Sequence, residues 1–539
     1  MGRTEEVEMS KEKSRGLAES VLIWLVNIYV FIMMAIYPLV VGNKYYDISD
    51  VKWAFYKWTF IAFIVVFACI FAGHIGSFIK QKKTKDFFEN TYKNMLATDW
   101  FVLAYLILCT ISTLVSPYGD KVIWGYDGWY MGFVAQVSFV LVYFVVSRFW
   151  RWDSINLFIY LIAAFLVFFL AVIMRFRIDP FSMYDAKMDD YYLSHFLSTL
   201  GQNTWYSSYM VIIIPLGMIA YWCAQKLWQR IAFGAFLVMS FMTAVTQNAD
   251  SAYPAIAGMF FVLFWISFDS NEKFLRFVEC LIIALASFKI IGLLQVSFAD
   301  RAVPLDSLSI FMSQSVVTLV LFIVILVFYF LLRFVIFQKT DLQIESFAKI
   351  RWGVLALAAV VIFAIIIYIV LNSTGKLPEQ YALSAGYLVF NDAWGNNRGV
   401  SWRCSVDAFF KAGFVQKLFG VGPDGFLYSV YMTYQQDFVK IFGERIVQGC
   451  AHNEWLNALI NVGLLGFVAY LGIFVSAFRD CMKHGKKYLY LYGVAMAVAA
   501  YFLHNFFCYQ QIICTPIIFI LMGMAGSVIR YGYKEGYKA

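Results

Sequence analysis

The chain has 539 residues, of which 62% are hydrophobic and only 14% charged, with a mean hydropathy of +0.71. A soluble domain is about half apolar and one quarter charged, so the composition excludes a soluble globular protein and implies an integral membrane one. The net charge of +8 does not point to nucleic acid, because no basic stripe interleaved with aromatics lies in a soluble stretch large enough to bind it.

The charged segment MGRTEEVEMSKEKSRG precedes the first apolar run, and no small-residue cleavage site follows that run. It is expected to remain as a signal anchor. Apolar runs of about 15 to 24 residues then recur along the whole chain, each long enough to cross a hydrocarbon core of about 30 Å as a helix. The short alternating strands of a β-barrel are absent. Helices are predicted over 21–41, 58–78, 100–115, 131–146, 155–174, 209–224 and 231–245. Seven more are predicted over 252–268, 277–294, 316–332, 352–371, 455–478, 488–503 and 515–528. The expected fold is all-α and polytopic, with about 14 spans (12 to 14), and the break at 245–252 is the least sharply defined.

Basic residues orient the spans, since cytoplasmic loops are enriched in Lys and Arg. Lys80, Lys82, Lys83, Lys85 and Lys93 fall in one connection, and Arg479, Lys483, Lys486 and Lys487 in another. With the N-terminus inside, about 26 basic residues lie on the cytoplasmic side, and both termini are cytoplasmic. The chain divides into 1–371 (spans 1–11, with outer loops at 175–205 and 296–315), a large extracytoplasmic loop at 372–454, and 455–539 (spans 12–14 and a cytoplasmic tail). A loop of about 80 residues is too long for a mere connection and is the natural seat of function. Its pattern predicts helices at 400–418 and 426–441, hinged by GVGPDG at 420–425, and a third that starts near Asn453 and becomes span 12. The first has an apolar and a polar face, as expected of a helix lying at the membrane interface.

Within this loop the order NNRGVSWRCSVDAFF, LFGVGPDGF, AHNEWLNALINVGLLGFVAY resembles the signature region of the O-antigen ligase and O-antigen polymerase family. These are integral-membrane glycosyltransferases that use polyprenyl-diphosphate-linked glycans. The matching residues are Arg398, Trp402, Gly420, Gly422, His452, Asn453, Gly463, Gly466 and Tyr470, within about 75 residues. Upstream, GQNTWYSSYMVIIIPL at 201–216 resembles the family's Gly-x-Asn loop, which brings in Asn203. One departure stands out: many members carry Ser-Arg-Gly where this chain has TQNADSAY at 246–253, without an Arg. Arg175, Arg177, Arg301 and Arg403 are the candidates to supply the missing cation.

The chemistry asks for the same residue types. Sugar transfer from a polyprenyl diphosphate needs a base for the acceptor hydroxyl and positive charge for the departing diphosphate. Histidine suits the first at neutral pH, and arginine, a permanently charged planar fork, suits the second. His452 as base and Arg398 on the diphosphate are therefore the expected catalytic pair. Glu454 is a weaker candidate, because two residues along a helix places it nearly opposite. Asn453 is an N-cap candidate. Gly463 and Gly466 are expected to allow close helix packing. His504 reads as a packed or hydrogen-bonded side chain. His74, His195 and His484 are too scattered to make a metal site with His452, and neither metal nor other cofactor is expected. Cys404, beside Arg403, and Cys450, two residues before His452, are two of nine cysteines and are either a disulfide or free thiols.

The expected function is thus that of an O-antigen ligase-like glycosyltransferase at the outer face of the cytoplasmic membrane. Its partners would be a polyprenyl-diphosphate-linked glycan, a lipid or glycan acceptor, and membrane lipids. A polysaccharide polymerase using the same chemistry is the alternative. A flippase or secondary transporter is the alternative of another class; it predicts inverted repeats or paired midplane charges, and neither is evident.

Overall fold

The computed structural model describes residues 16–80, 84–384 and 386–533. Lys82, Lys83 and the charged segment before Gly16 lie outside the described residues. The fold is all-α. In chain order come α1 (Leu17–Phe31), α2 (Ile48–Lys80), α3 (Ala97–Val115), α4 (Phe133–Phe149), α5 (Ser154–Met174) and α6 (Asn203–Cys223). They are followed by α7 (Leu227–Thr246), α8 (Ala252–Ile266), α9 (Asn271–Ser297), α10 (Val316–Phe330) and α11 (Ile350–Ser373). The large loop carries α12 (Trp394–Lys411), α13 (Phe414–Phe419) and α14 (Gln435–Phe442). The chain ends in α15 (Glu454–Gly485), α16 (Leu491–His504) and α17 (Thr515–Tyr531). Among the described residues, 11 helices are long and apolar enough to span a bilayer. With the three shorter apolar helices α4, α16 and α17 they make fourteen, one at each expected position.

Burial runs against hydropathy, as it should when the solvent is lipid. The α11 window has hydropathy 3.3 and is 0% buried, whereas α6 has hydropathy 1.4 and is 100% buried. Thr204, Ser207 and Ser208 make α6 too polar for lipid, and it is packed against α7 and α16 at the centre of the bundle. Around it α15 packs along α3, α17 along α4, and α8 along α16. A short hairpin, β1 (Phe196–Leu197) antiparallel to β2 (Gly201–Gln202), delivers the chain into α6.

The two bundle faces differ. On one, Asp99 accepts from both Arg148 nitrogens at 3.0 Å and pairs with Arg530, clamping α3, α4 and α17. The large loop folds over the other, around a small core of Val400, Cys404, Phe426, Val430, Tyr431 and Phe438. The expected helix at 400–418 is two helices, because Ala412 is extended and Gly413 starts α13 afresh. The expected 426–441 helix is a wide turn at Leu427–Tyr431 followed by α14. Cys404 and Cys450 are buried free thiols in different apolar clusters, so no disulfide joins them: Cys450 packs instead with Cys508 and Tyr509.

Candidate active site

Arg398 is placed by its neighbours. Gly395, Asn396 and Asn397 have φ of 60°, 61° and 65°, a left-handed run that Gly and Asn tolerate best. At Gly399 a Cβ would lie 1.8 Å from the Asn391 carbonyl oxygen. The NNRG stretch is thus a tight turn that points one arginine inward. Arg398 Nη1 donates to Gly395 O at 2.6 Å, and its Nε is buried without a partner. Among the described residues Arg398 makes no ion pair, and burial lowers its pKa. Trp402, one turn along α12, packs its ring against Trp394 (4.9 Å) and Phe507 (6.2 Å), beside the arginine.

His452 sits immediately before α15 with φ of 49°, an uncommon conformation for a non-glycine residue and one that clusters at functional sites. Asn453 caps the helix, its Oδ1 accepting from Trp455 N at 3.0 Å and Leu456 N at 3.1 Å. The imidazole Nε2 lies 3.0 Å from Gln448 Oε1 and packs edge-on against Tyr509 at 5.0 Å. In the tautomer that donates Nε2–H to Gln448, Nδ1 keeps its lone pair. Burial first, and then the positive charge of Arg398, push the pKa of His452 down to about 3. The site therefore joins a neutral imidazole and a buried guanidinium that makes no ion pair, with the Asp250 carboxylate acting on it only at longer range.

The GVGPDG turn holds this junction from behind. At Gly463, φ of 68° breaks α15, leaving carbonyls of the preceding turn without helical donors. Val421 N donates to Ile460 O at 3.1 Å and Gly422 N to Asn461 O at 2.9 Å, filling them. Contact is backbone to backbone: a Cβ on Gly420 would meet Asn461 O at 2.3 Å, and one on Gly463 would meet Gly420 N at 2.4 Å. The expected close packing at Gly463 is therefore against this turn. Asp424, buried in the same turn, accepts from Tyr126 N (2.7 Å) and Met131 N (3.3 Å), and desolvation raises its pKa to about 6. Glu454 faces this side too: its carboxylate accepts from Gln510 N at 2.7 Å, so Gln448 and not Glu454 orients His452.

The other candidate residues are placed elsewhere. Arg403 is braced by Asp392 (2.7 Å) and Asp437 (3.2 Å), which raise its pKa and tie α12 to α14. Arg175 is fully buried and bonds the carbonyls of Thr246, Leu193 and Ser194 at 2.8 to 2.9 Å. Arg177 is exposed, and Arg301 is exposed beside Asp300. Asn203 donates its amide to Asn248 O at 2.7 Å. Where the arginine of Ser-Arg-Gly is missing, Asp250 accepts from Tyr387 Oη at 2.5 Å and ties the large loop to the α7–α8 turn. His504 is buried, bonded to Ser207 (2.9 Å) and Ser251 (3.1 Å). Of the five arginines, only Arg398 acts on His452 electrostatically. Gln448, Tyr509 and Asp424 escaped the sequence reading; the polar run CYQQ between two spans was the one signal that Tyr509 belongs to a site.

Residues 302–471, from before α10 into α15, match the family model of the O-antigen ligase. That segment is similar to the O-antigen ligase family. The matched segment contains Arg398, the GVGPDG turn and His452, so the candidate site lies inside it. No curated protein matches the chain. The matched segment is set in a multi-pass bundle whose other connections supply its supports, among them Tyr126 and Met131 before α4 and Tyr509 after α16.

Proposed function

We propose that the chain is a glycan ligase that moves a glycan from a polyprenyl diphosphate to an acceptor hydroxyl, at the extracytoplasmic face of the cytoplasmic membrane. The observation that carries the reading is the buried Arg398 guanidinium, without a carboxylate partner, acting on a neutral His452. A buried cation left unpaired by the protein is costly unless an anion joins it, and a diphosphate is an anion that a planar guanidinium grips well. His452 accepts the acceptor hydroxyl proton as the new C–O bond forms, while the anomeric C–O bond to the diphosphate breaks and Arg398 holds the departing charge.

Donor binding also tunes the base. The charge of Arg398 holds down the pKa of His452, and the donor diphosphate offsets that charge, so the imidazole gains basicity once the donor is seated. In-line displacement inverts the anomeric centre. The test is reconstitution with a labelled polyprenyl-diphosphate glycan and candidate acceptors, comparing wild type with His452→Ala and Arg398→Ala. Inverted product that depends on both residues is expected; retained configuration, or transfer that survives loss of His452, removes it as the base.

A further inference from the structure

The bundle face opposite the large loop holds a second cationic site. Glu279 of α9 accepts from Arg230 (3.0 Å), Arg276 (3.0 Å), Tyr221 (2.8 Å) and Tyr329 (2.8 Å). These fill the roughly four lone-pair positions a carboxylate offers. A third guanidinium, Arg333, stands 3.8 Å from the same carboxylate, 41% exposed, and donates to Tyr329 Oη at 2.9 Å. It is set by a wide turn at Leu331–Ile336 that continues α10, the kind of bulge that recurs at functional sites. Arg276 also meets Glu272 at 3.3 Å. Three guanidiniums against two carboxylates leave one positive charge, and the buried Nε of Arg230 has no partner. The groups line a cleft of about 360 Å³ between α7, α9 and the end of α10.

Position selects the ligand. Arg230 lies 16 residues before Thr246, at the loop face, which is about 24 Å along α7. The cleft is therefore at headgroup depth in the other leaflet. Its α10 wall is the lipid-facing one: the α10 span is 6% buried, and Phe330 and Phe334 are exposed next to Arg333. A ligand entering along that wall presents an anion above and acyl chains below. We infer that this cleft binds the phosphodiester headgroup of an anionic phospholipid, with Arg333 as the contacting cation. Basic pockets between transmembrane helices are a recurrent way to hold such headgroups.

The test uses the purified full-length protein and native mass spectrometry with phosphatidylglycerol, phosphatidylcholine or inorganic phosphate. Wild type should retain phosphatidylglycerol in preference to phosphatidylcholine. Arg333→Gln should weaken that preference about fivefold, the factor that about 1 kcal/mol from one interfacial cation supplies. Arg333→Lys should restore most of it, and Arg445→Gln, in the large loop, should leave it unchanged. A folded, monodisperse Arg333→Gln protein with undiminished preference overturns the inference. So does binding of inorganic phosphate alone, without retention of phosphatidylglycerol.

Discussion

The imidazole of His452 and the guanidinium of Arg398 each set the other's chemistry, and two measurements separate their contributions. With its pKa pushed down to about 3, His452 is already deprotonated at every pH from 5 to 8. Since kcat/KM reports ionisations of the free enzyme, its acid side should be flat over that range. A tenfold fall per unit below pH 6.5 would instead assign His452 an ordinary pKa and remove the electrostatic coupling. Replacing the base should lower kcat by about 10² to 10⁴, the usual worth of a positioned proton acceptor. His452→Gln is thus expected to lose kcat while KM stays within a few-fold, whereas Arg398→Gln should raise KM for the donor as well. Asp424 offers a test on stability. Its pKa of about 6 lies above the ordinary 3.8, so between these values the native state binds more protons than the unfolded chain. Stability then falls as pH rises through that window, and the full cost is present above about pH 6. Asp424→Asn keeps an acceptor for Tyr126 N and tolerates the φ of 61°. Its Tm relative to wild type should rise between pH 4 and pH 7, and a constant difference across that range would refute the burial argument.

The broken helix α15 and the turn that fills it form a unit that neither makes alone. Gly463 needs its glycine twice over, for a φ of 68° and for the backbone of Leu418 to Gly420 against its face. Gly463→Ala is therefore expected to cost about 2 kcal/mol or more and to reduce activity, since the turn it expels also carries Asp424. A scanning-calorimetry Tm indistinguishable from wild type would show that α15 straightens without loss. This unit also marks how far the sequence could be read. All fourteen apolar helices were legible because lipid imposes long hydrophobic runs. That Arg398 and His452 come close enough to act on one another was expected from the order of the motifs. The orienting Gln448 was not, because a glutamine four residues before a histidine has no distinctive pattern. The fates of Arg175 and Arg403 were hidden for the same reason: an arginine that serves carbonyls or braces two helices looks, in sequence, like one awaiting a phosphate. Gly463 was read as a packing residue, but its partner and its left-handed backbone depend on a turn about 40 residues away.

At the extremes of the bundle, one of the least lipid-like spans is enclosed and the most apolar one faces outward. α6, with its Thr and Ser, is enclosed, while α10 and α11, the most apolar spans after the first residues of the matched segment, face outward. The large loop follows directly from α11, a helix with no buried residue, which meets the bundle at its first turn, where Arg351 and Trp352 pack on Trp265 of α8. The loop is secured near its start by Tyr387 on Asp250 and at its other end through the cap of α15 and the turn docked on its break. This arrangement makes α15 the element whose crossing fixes the sidedness of the site. Beyond the break at Gly463, its remaining 22 residues (464–485) extend about 33 Å, enough for the roughly 30 Å hydrocarbon core. Exposed Glu444 precedes it and exposed Lys486 follows it. Eight of the nine native cysteines are buried, and the other, Cys69, lies within α2, so single introduced cysteines report against a quiet background. An impermeant maleimide added to intact cells should label Glu444→Cys and leave Lys486→Cys unlabelled until the membrane is opened. The reverse pattern would turn the protein over and place His452 on the cytoplasmic side, where the proposed extracytoplasmic transfer fails. Labelling of both positions in intact cells would mean that α15 does not cross, and with it the fourteen-span topology would fall.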